Sequence, residues 1–380
     1  MVKTYLIGLL ESKRMRYGLA AAFVVCLVAG SALIFFQNSP ADKTIRIGSI
    51  LILSGEGSAW GIAEKNGIDM AVEKINFEGG INGKTLVVSH QDDRGDPKTT
   101  LSAFESLVDG SGIKIIIGTT WSRTGLPLVD LADQKKVLMI SPSLGVKEFN
   151  EKSKYLFNTW PHDFLLSRQL AEYVYAKGYR NVAIIGAQEV WVKDQTNNFK
   201  DRFEELGGSV AVLVEPDPAN KDIYTEALQI KNSGADAMVS TTDGVLVGAL
   251  IAKRAREIGV SLPVYSITID ASTIEAAQGA YEGMEFLTSL TPSPEFKAEY
   301  EKRYRIPIDI GADSAYDGVM LVARAMRATN STDTEVLQAY LNSVSEYSGV
   351  SGHLVSDGRG GFAKGFVVEK VVNGTAVVIG

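Results

Sequence analysis

Residues 45–54 read IRIGSILILS, a mostly apolar run rich in isoleucine that predicts a strand buried on both faces of a parallel sheet. The strand stops at a glycine-rich loop, EGSAWG. Apolar side chains between Ile68 and Ile75 then recur at the spacing of one helix face. A second apolar run, TLVVS at residues 85–89, predicts the next strand. This order of strand, helix and strand is a right-handed crossover between parallel strands.

The same alternation continues along the chain. Further strands are predicted at residues 114–117, 137–141, 155–160, 181–186, 209–215, 235–240, 263–268 and 283–288. The tail, residues 362–379, alternates like a hairpin that turns at Asn373 and Gly374. The pattern therefore predicts an α/β protein of two doubly wound domains, and the chain is expected to leave the first near Pro161.

The amino terminus carries a separate signal. Residues 18–36, GLAAAFVVCLVAGSALIFF, contain no charge and follow Lys13, Arg14 and Arg16. Such a run predicts either a transmembrane anchor or a long signal peptide cut after Ala41. An anchor is favoured because the run is long for a signal core. Residues 1–17 would then be a cytoplasmic basic region and residues 37–44 a linker, and both alternatives place the remainder in the cell envelope, outside the cytoplasm.

Cysteine usage and charge exclude several classes of protein. The only cysteine, Cys26, lies in the apolar run, which excludes disulfides, thiolate zinc sites and cysteine nucleophiles from the exported part. Residues 1–41 hold four of the 38 basic and one of the 45 acidic residues, which leaves 34 against 44 and a net charge of −10. This acidic balance argues against nucleic acid and against an anionic membrane surface as partners.

Tryptophans mark a candidate ligand site. Trp60, Trp121 and Trp191 are each predicted in a loop that follows a strand, and Trp160 lies where the chain changes domain. Ligands of open α/β sheets bind at the carboxyl ends of the strands, and the flat indole ring suits the wall of a pocket. Each tryptophan could instead plug the edge of a domain. Three in equivalent positions favour a cleft.

Enzyme motifs do not emerge from the sequence. The three histidines have no partners at metal-ligand spacing, and neither a GxGxxG nor a GxxxxGK[ST] motif occurs. Asp92, Asp93 and Asp96 are expected to end a strand and cap a helix rather than to bind a cation. No catalytic residue, metal or cofactor is predicted.

Several sequence blocks resemble one known family. Residues 67–97, GIDMAVEKINFEGGINGKTLVVSHQDDRGDP, follow Trp60 and Gly61 and resemble the leucine/isoleucine/valine-binding proteins, the periplasmic receptors of branched-chain amino acid ABC transporters. The similarity covers nearly all of residues 45–362. Its further blocks are KIIIGTTWS (114–122), VLMISPS (137–143), YLFNTWPHD (155–163) and SAYDGVMLVARAM (314–326).

The resemblance implies a type I periplasmic binding protein fold, with two Rossmann-like lobes joined by three crossing segments and the solute bound between them. The crossings would lie near residues 161–163, 286–288 and 344–349. The amino-terminal lobe would comprise residues 45–162 and 287–345. The carboxyl-terminal lobe would comprise residues 163–286 and 346–380.

The resemblance also implies roles for site residues. Ser122 and Ser143 match positions that hold the α-carboxylate of an amino acid, Trp191 matches an aromatic residue that packs on the ligand, and Asp270 matches an acid that pairs with the ammonium. Hydroxyl groups can bind a carboxylate, and one buried carboxylate balances an ammonium. The expected set of ligand-binding residues is Trp60, Trp121, Ser122, Ser143, Trp191, Thr241, Asp243 and Asp270.

Three positions depart from the family pattern. Leu144 and Gly145 replace a hydroxyl residue expected after Ser143, the loop at residues 241–244 lacks an aromatic side chain, and Arg123 is unexpected. These departures leave the lobes intact and bear on the specificity of the site.

The expected function is that of an extracytoplasmic receptor, monomeric in its exported part, that binds a branched-chain-like amino acid or a related small polar solute. Its closed form would be read by an ABC permease in the membrane. The alternative is a membrane-tethered sensing ectodomain that signals to a partner protein. An enzyme that uses Asp270 is disfavoured, because no pair of nucleophile and base emerges.

Overall fold

The computed structural model describes residues 43–242, 245–289 and 292–379. The strands are β1 (Thr44–Leu51), β2 (Thr85–Asp92), β3 (Ile115–Gly118), β4 (Leu138–Ser141), β5 (Leu156–Asn158), β6 (Asn181–Ile185), β7 (Ser209–Val214), β8 (Ala237–Ser240), β9 (Val264–Ile267), β10 (Glu285–Ser289), β11 (Glu346–Gly349), β12 (Gly352–Ser356), β13 (Phe362–Ala363), β14 (Phe366–Val372) and β15 (Thr375–Val378).

The helices are α1 (Ser58–Phe77), α2 (Pro97–Glu105), α3 (Ser122–Gly125), α4 (Val129–Lys135), α5 (Glu148–Glu151), α6 (Asp163–Ala176), α7 (Val190–Glu205), α8 (Tyr224–Asn232), α9 (Val247–Glu257), α10 (Ala271–Ala276), α11 (Pro294–Tyr304), α12 (Ala312–Thr329) and α13 (Thr334–Asn342). None of these helices is both long and apolar enough to cross a membrane. The anchor or signal peptide predicted at residues 18–36 lies outside the described residues.

Two large sheets form the centres of two lobes. The first has the order β2-β1-β3-β4-β5, and the second has the order β15-β14-β10-β9-β8-β6-β7. Strands β1, β3, β4 and β5 pair in parallel, as do β7, β6, β8, β9 and β10. The two-lobed α/β fold predicted from the strand and helix alternation is therefore confirmed.

Parallel strands with helices on both sheet faces explain the apolar runs. The side chains of Ile47, Ile50 and Leu51 in β1 are fully buried, because one face of the sheet packs on α1 and α12 and the other on the helices that follow β2 and β3. Burial on both faces requires apolar residues at successive positions instead of alternate ones.

The carboxyl-terminal hairpin forms as the sequence predicts. Strands β14 and β15 pair in antiparallel fashion, and Asn373 and Gly374 between them have φ angles of 52° and 72°. Two consecutive residues with positive φ define the tight turn that favours Asn-Gly. The hairpin joins the second sheet beside β10.

The connections between the lobes differ from the expected positions. Strand β10 belongs wholly to the second sheet, so residues 286–288 are not a crossing, and residues 290–291 after it lie outside the described residues. Residues 346–363 form a small antiparallel sheet whose Leu354 and Phe362 are buried in the core of the first lobe. The third crossing is therefore at residues 364–365, and the expected assignment of residues 346–363 to the second lobe was wrong. This small sheet was missed because its burial depends on α12, which is distant in sequence.

A buried ion pair holds the third crossing to the first lobe. Lys364 Nζ lies 3.2 Å from Asp313 Oδ2 in the first turn of α12, and both side chains are almost completely buried. Lys364 also lies over the ring of Trp160, 5.2 Å from its centroid, which gives the ammonium a second favourable contact. The first and third crossings are thereby in direct contact.

We predict that Lys364→Met destabilises the protein by about 3–5 kcal/mol, because it leaves the Asp313 carboxylate buried without its partner. Urea unfolding measures the change. The double variant Lys364→Met/Asp313→Leu should recover most of the loss. Lys370→Met, which removes a half-exposed partner of Glu285, is the control and should cost less than about 1 kcal/mol. An equal cost for both single variants would contradict the role of the buried pair.

Candidate functional site

A cavity of about 250 Å³ lies between the carboxyl ends of the strands of the two sheets. All four tryptophans of the chain line it. Its other lining residues are Glu56, Ser122, Arg123, Ser143, Asp163, Glu189, Asp217, Pro218, Ala219, Val245 and Thr268. Each of these residues follows a strand of one of the two sheets, as expected for a ligand site in open α/β sheets.

Trp60 and Trp191 lie in the first turns of α1 and α7, not in loops as predicted. Helix α1 begins directly after Gly57, whose φ is +83°. A Cβ atom there would lie 2.3 Å from the ring of Trp121, so only glycine allows this close approach. The Glu189 carboxylate caps α7 by accepting from the backbone N–H of Val192 at 3.0 Å.

The indole N–H groups of three tryptophans donate to carboxylates. Trp60 Nε1 donates to Asp270 Oδ2 at 3.0 Å. Trp160 Nε1 and Trp191 Nε1 donate to the two oxygens of Asp163, at 2.8 and 2.7 Å. These bonds fix the orientation of the rings, and Trp60 meets Trp121 edge to face with centroids 6.4 Å apart.

Asp163 is the most buried carboxylate of the cavity lining, with 3% of its surface exposed. Burial raises its pKa to about 6, although the two indole N–H groups act in the opposite direction. The backbone N–H of Asp163 also donates to the Gly145 carbonyl at 3.0 Å. Three elements therefore meet at this residue: the loop after β4, the first crossing and helix α7.

Gly145 explains one departure from the family pattern. A Cβ atom at this position would lie 1.6 Å from Asp163 Oδ2 and 2.7 Å from Trp191 Nε1. The space that a hydroxyl side chain was expected to occupy is filled by the Asp163 carboxylate and the Trp191 indole. The substitution of glycine for a hydroxyl residue is thus coupled to the aromatic and acidic lining.

Glu64 on α1 is completely buried behind Ser143. Its carboxyl group contacts the hydroxyl of Ser143 and accepts from Thr120 Oγ1 at 2.6 Å. The Ser143 hydroxyl also lies 2.7 Å from the carbonyl of Thr120, and Thr120 Oγ1 accepts from the N–H of Ile52. Ser143 has one hydrogen, so both of its contacts are satisfied only if Glu64 is protonated and donates to it. In agreement, burial raises the pKa of Glu64 from 4.5 to about 8.

Arg123 is the one basic residue of the lining. Its guanidinium lies 4.4 Å from the centroid of the Trp121 ring, and its Nε donates to the carbonyl of Gly95 at 3.1 Å. The charge of Arg123 also acts on Glu189 of the second lobe. Burial raises the pKa of Glu189, and the nearby guanidinium lowers it in part. The unexpected arginine is therefore held against an aromatic ring instead of projecting freely into the cavity.

The structure brings five of the eight expected ligand-binding residues to the cavity: Trp60, Trp121, Ser122, Ser143 and Trp191. Thr241 is buried, and its hydroxyl bonds to that of Thr196 at 2.7 Å. Asp270 caps α10 through the N–H of Thr273 at 2.6 Å and accepts from Trp60, and it lines a neighbouring cavity instead. Asp243 lies outside the described residues. Ligand contact by the five cavity residues remains a prediction.

Sequence reasoning missed Asp163, Glu189 and Thr268. Asp163 and Glu189 each lie at the start of a helix that follows a strand. This position in the sequence could have predicted that both residues face the cavity. Thr268 gave no signal: its φ of 38° and its buried Oγ1, which has no hydrogen-bond partner among the described residues, are visible only in the structure. No group of His, Cys, Asp or Glu residues in the described part of the chain is arranged to hold a metal.

These features define a two-lobed α/β protein with a cavity between the carboxyl ends of its two sheets. The periplasmic binding protein family model matches residues 44–368, and the chain belongs to this family. The resemblance recognised in the sequence is thereby confirmed.

Named relatives are binding proteins rather than enzymes, and so is this chain. Leu/Ile/Val-binding protein homolog 3 of Brucella melitensis is 28% identical over 314 residues, which cover 80% of this chain and 84% of that protein. Leucine-binding protein LivK of Thermotoga maritima superposes with a TM-score of 0.82 at 23% identity, covering 88% of this chain and 98% of that chain. LivJ of Streptococcus pneumoniae in complex with isoleucine superposes with a TM-score of 0.80 at 23% identity, and the match covers 88% of this chain and 99% of LivJ.

We predict that Glu64→Gln removes a component of the pH dependence of stability. A folded-state pKa of about 8 against 4.5 means that the wild-type contribution is complete below pH 4.5 and is lost as the pH rises through 8. The loss is on the order of a few kcal/mol. Glutamine reproduces the protonated carboxyl group. Urea unfolding from pH 5 to 9 should therefore show a shallower decline for the variant, and parallel curves would contradict a protonated Glu64.

We predict that Gly145→Ala separates Asp163 from Trp191, because the new methyl group would overlap the carboxylate. The expected cost is about 1–3 kcal/mol in urea unfolding, together with a change in tryptophan fluorescence. Gly110→Ala is the matched control, since nothing lies within 4 Å of a Cβ atom there. If both variants behave alike, the close approach at Gly145 has no energetic role.

Proposed function

We propose that the protein is the extracytoplasmic solute-binding receptor of an ABC transporter and that it presents its closed, liganded form to a membrane permease. The observation that carries this proposal is the composition of the cavity wall. Trp60 and Trp121 come from the first lobe, Trp191 comes from the second, and Trp160 lies on the first crossing between them. A solute that fills the cavity therefore contacts both lobes.

Contact with both lobes gives the mechanism. A solute bound only to one lobe would stabilise open and closed arrangements equally, and the equilibrium between them would not change. Because the solute gains the contacts of the other lobe only on closure, its binding shifts the population toward the closed form. A permease that recognises surfaces of both lobes could then distinguish liganded from empty receptor.

The names of the relatives support an amino acid or a related small polar solute. The curated relative is a Leu/Ile/Val-binding protein homolog, and the LivJ structure contains isoleucine. We propose that the solute bound by this protein lies in the cavity between its four tryptophans.

We predict that Trp191→Ala abolishes solute binding without unfolding the protein. The solute is obtained by denaturing freshly purified full-length protein and identifying the released molecule by mass spectrometry. Its affinity for the refolded wild type and variant is then measured by calorimetry. Truncation of an aromatic wall should weaken binding at least 100-fold, roughly the scale of a binding hot spot. Tyr224→Ala, an exposed aromatic residue of the second lobe, is the control. Unchanged affinity of Trp191→Ala would remove the cleft assignment.

A further inference from the structure

The aromatic walls of the cavity offer ring surfaces and few donors. Trp60, Trp160 and Trp191 already donate their N–H groups to the carboxylates of Asp163 and Asp270. An indole whose N–H donates to a carboxylate keeps a more electron-rich ring. The face of such a ring attracts cations, and tryptophan is the best of the aromatic residues in this respect.

The charges of the lining also favour a cation. Four carboxylates, those of Glu56, Asp163, Glu189 and Asp217, face the cavity against the single guanidinium of Arg123. That guanidinium already lies against Trp121. An excess of one sign of charge within a cleft with low-dielectric walls concentrates ions of the opposite sign. An anionic solute would meet repulsion from most of the lining.

The hydrogen bonds of the lining argue against the carboxylate of a free aliphatic amino acid. The hydroxyl of Ser143, one of the two serines expected to bind that carboxylate, has a single hydrogen, and its oxygen already contacts both the carbonyl of Thr120 and the carboxyl group of Glu64. It has no hydrogen left for a ligand. Releasing this hydrogen would expose the carbonyl of Thr120 or require Glu64 to ionise in a buried position.

The lining also offers few free hydrogen-bond acceptors for a primary ammonium group. Its three N–H groups need three acceptors when it is desolvated. Each oxygen of Asp163 already accepts one indole N–H, which leaves one lone pair per oxygen, and one oxygen of Glu189 accepts the N–H of Val192. An ammonium whose hydrogens are replaced by methyl groups needs no acceptor. It retains its charge and presents apolar surface to the rings.

Thr268 offers a polar group for the rest of the solute. Thr268 is 97% buried (3% exposed), lines the cavity and leaves its Oγ1 without a partner among the described residues. Its φ of 38° is rare for a β-branched residue. A buried hydroxyl held in a strained backbone conformation needs a partner, and a polar atom of the solute would supply it.

We propose that the cavity selects a small solute that carries an N-methylated ammonium group, enclosed by the four tryptophans and the carboxylates of Asp163 and Glu189, with a polar atom that bonds to Thr268. This inference rests on the proposed function as a solute receptor and names the class of solute.

Matched probes separate charge from shape. Choline and 3,3-dimethylbutan-1-ol have the same shape and the same hydroxyl group, but only choline is charged. We expect choline to bind full-length protein in mild detergent at least ten-fold more tightly than the neutral probe, as measured by calorimetry. Leucine and isoleucine should bind more weakly than choline.

A variant tests the acidic lining. Asp163→Asn removes the charge and retains one oxygen for an indole N–H, so it should weaken binding of the charged probe at least ten-fold more than binding of the neutral probe. Asp236→Asn, whose carboxylate bonds to backbone N–H groups far from the cavity, should change neither. If Asp163→Asn does not fold by circular dichroism, Glu189→Gln replaces it.

The remaining outcomes distinguish the two proposals. Binding of leucine or isoleucine without binding of choline would overturn the class of solute and leave the receptor intact. The same holds if a released solute without an N-methylated ammonium binds the protein. If neither the probes nor any released solute bind, both proposals fail.

Discussion

The pair of hydrogen bonds from Trp160 and Trp191 to one buried carboxylate is the interaction on which the site depends. Asp163 accepts both indole N–H groups and donates its own backbone N–H to Gly145. It thereby connects a loop of the first lobe, the first crossing and a helix of the second lobe. The carboxylate must be buried for this purpose, and the raised pKa of Asp163 reflects the cost of that burial.

The order of strands and helices could be read from the sequence because the central strands of both sheets are buried on both faces. This constraint produces continuous apolar runs, such as the one at Ile50 and Leu51, that periodicity detects without knowledge of distant contacts. The placement of Trp121 after a strand was equally local information. By contrast, Leu354 of the small sheet is buried in a core that also contains side chains of α12, and the sequence near residue 354 carries no sign of that helix.

The polar contacts of the site were the least predictable part. Asp270 has the position of a ligand-binding acid in the family pattern, yet its carboxylate caps a helix and accepts from Trp60. Glu64 lies in the middle of an amphipathic helix, where a carboxyl group usually indicates a solvated face. Its burial follows from the meeting of α1 with the loops after β3 and β4, and only the three-dimensional arrangement reveals Thr120 and Ser143 as its partners.

The ion pair between Lys364 and Asp313 has a consequence for lobe movement. It ties one end of the third crossing to α12, whereas Gly365, the next residue, is exposed and leads directly into the second sheet. Bending of this connection is therefore confined to its carboxyl-terminal side. Any movement of the lobes at this crossing would therefore leave Lys364 attached to α12 and take place at Gly365.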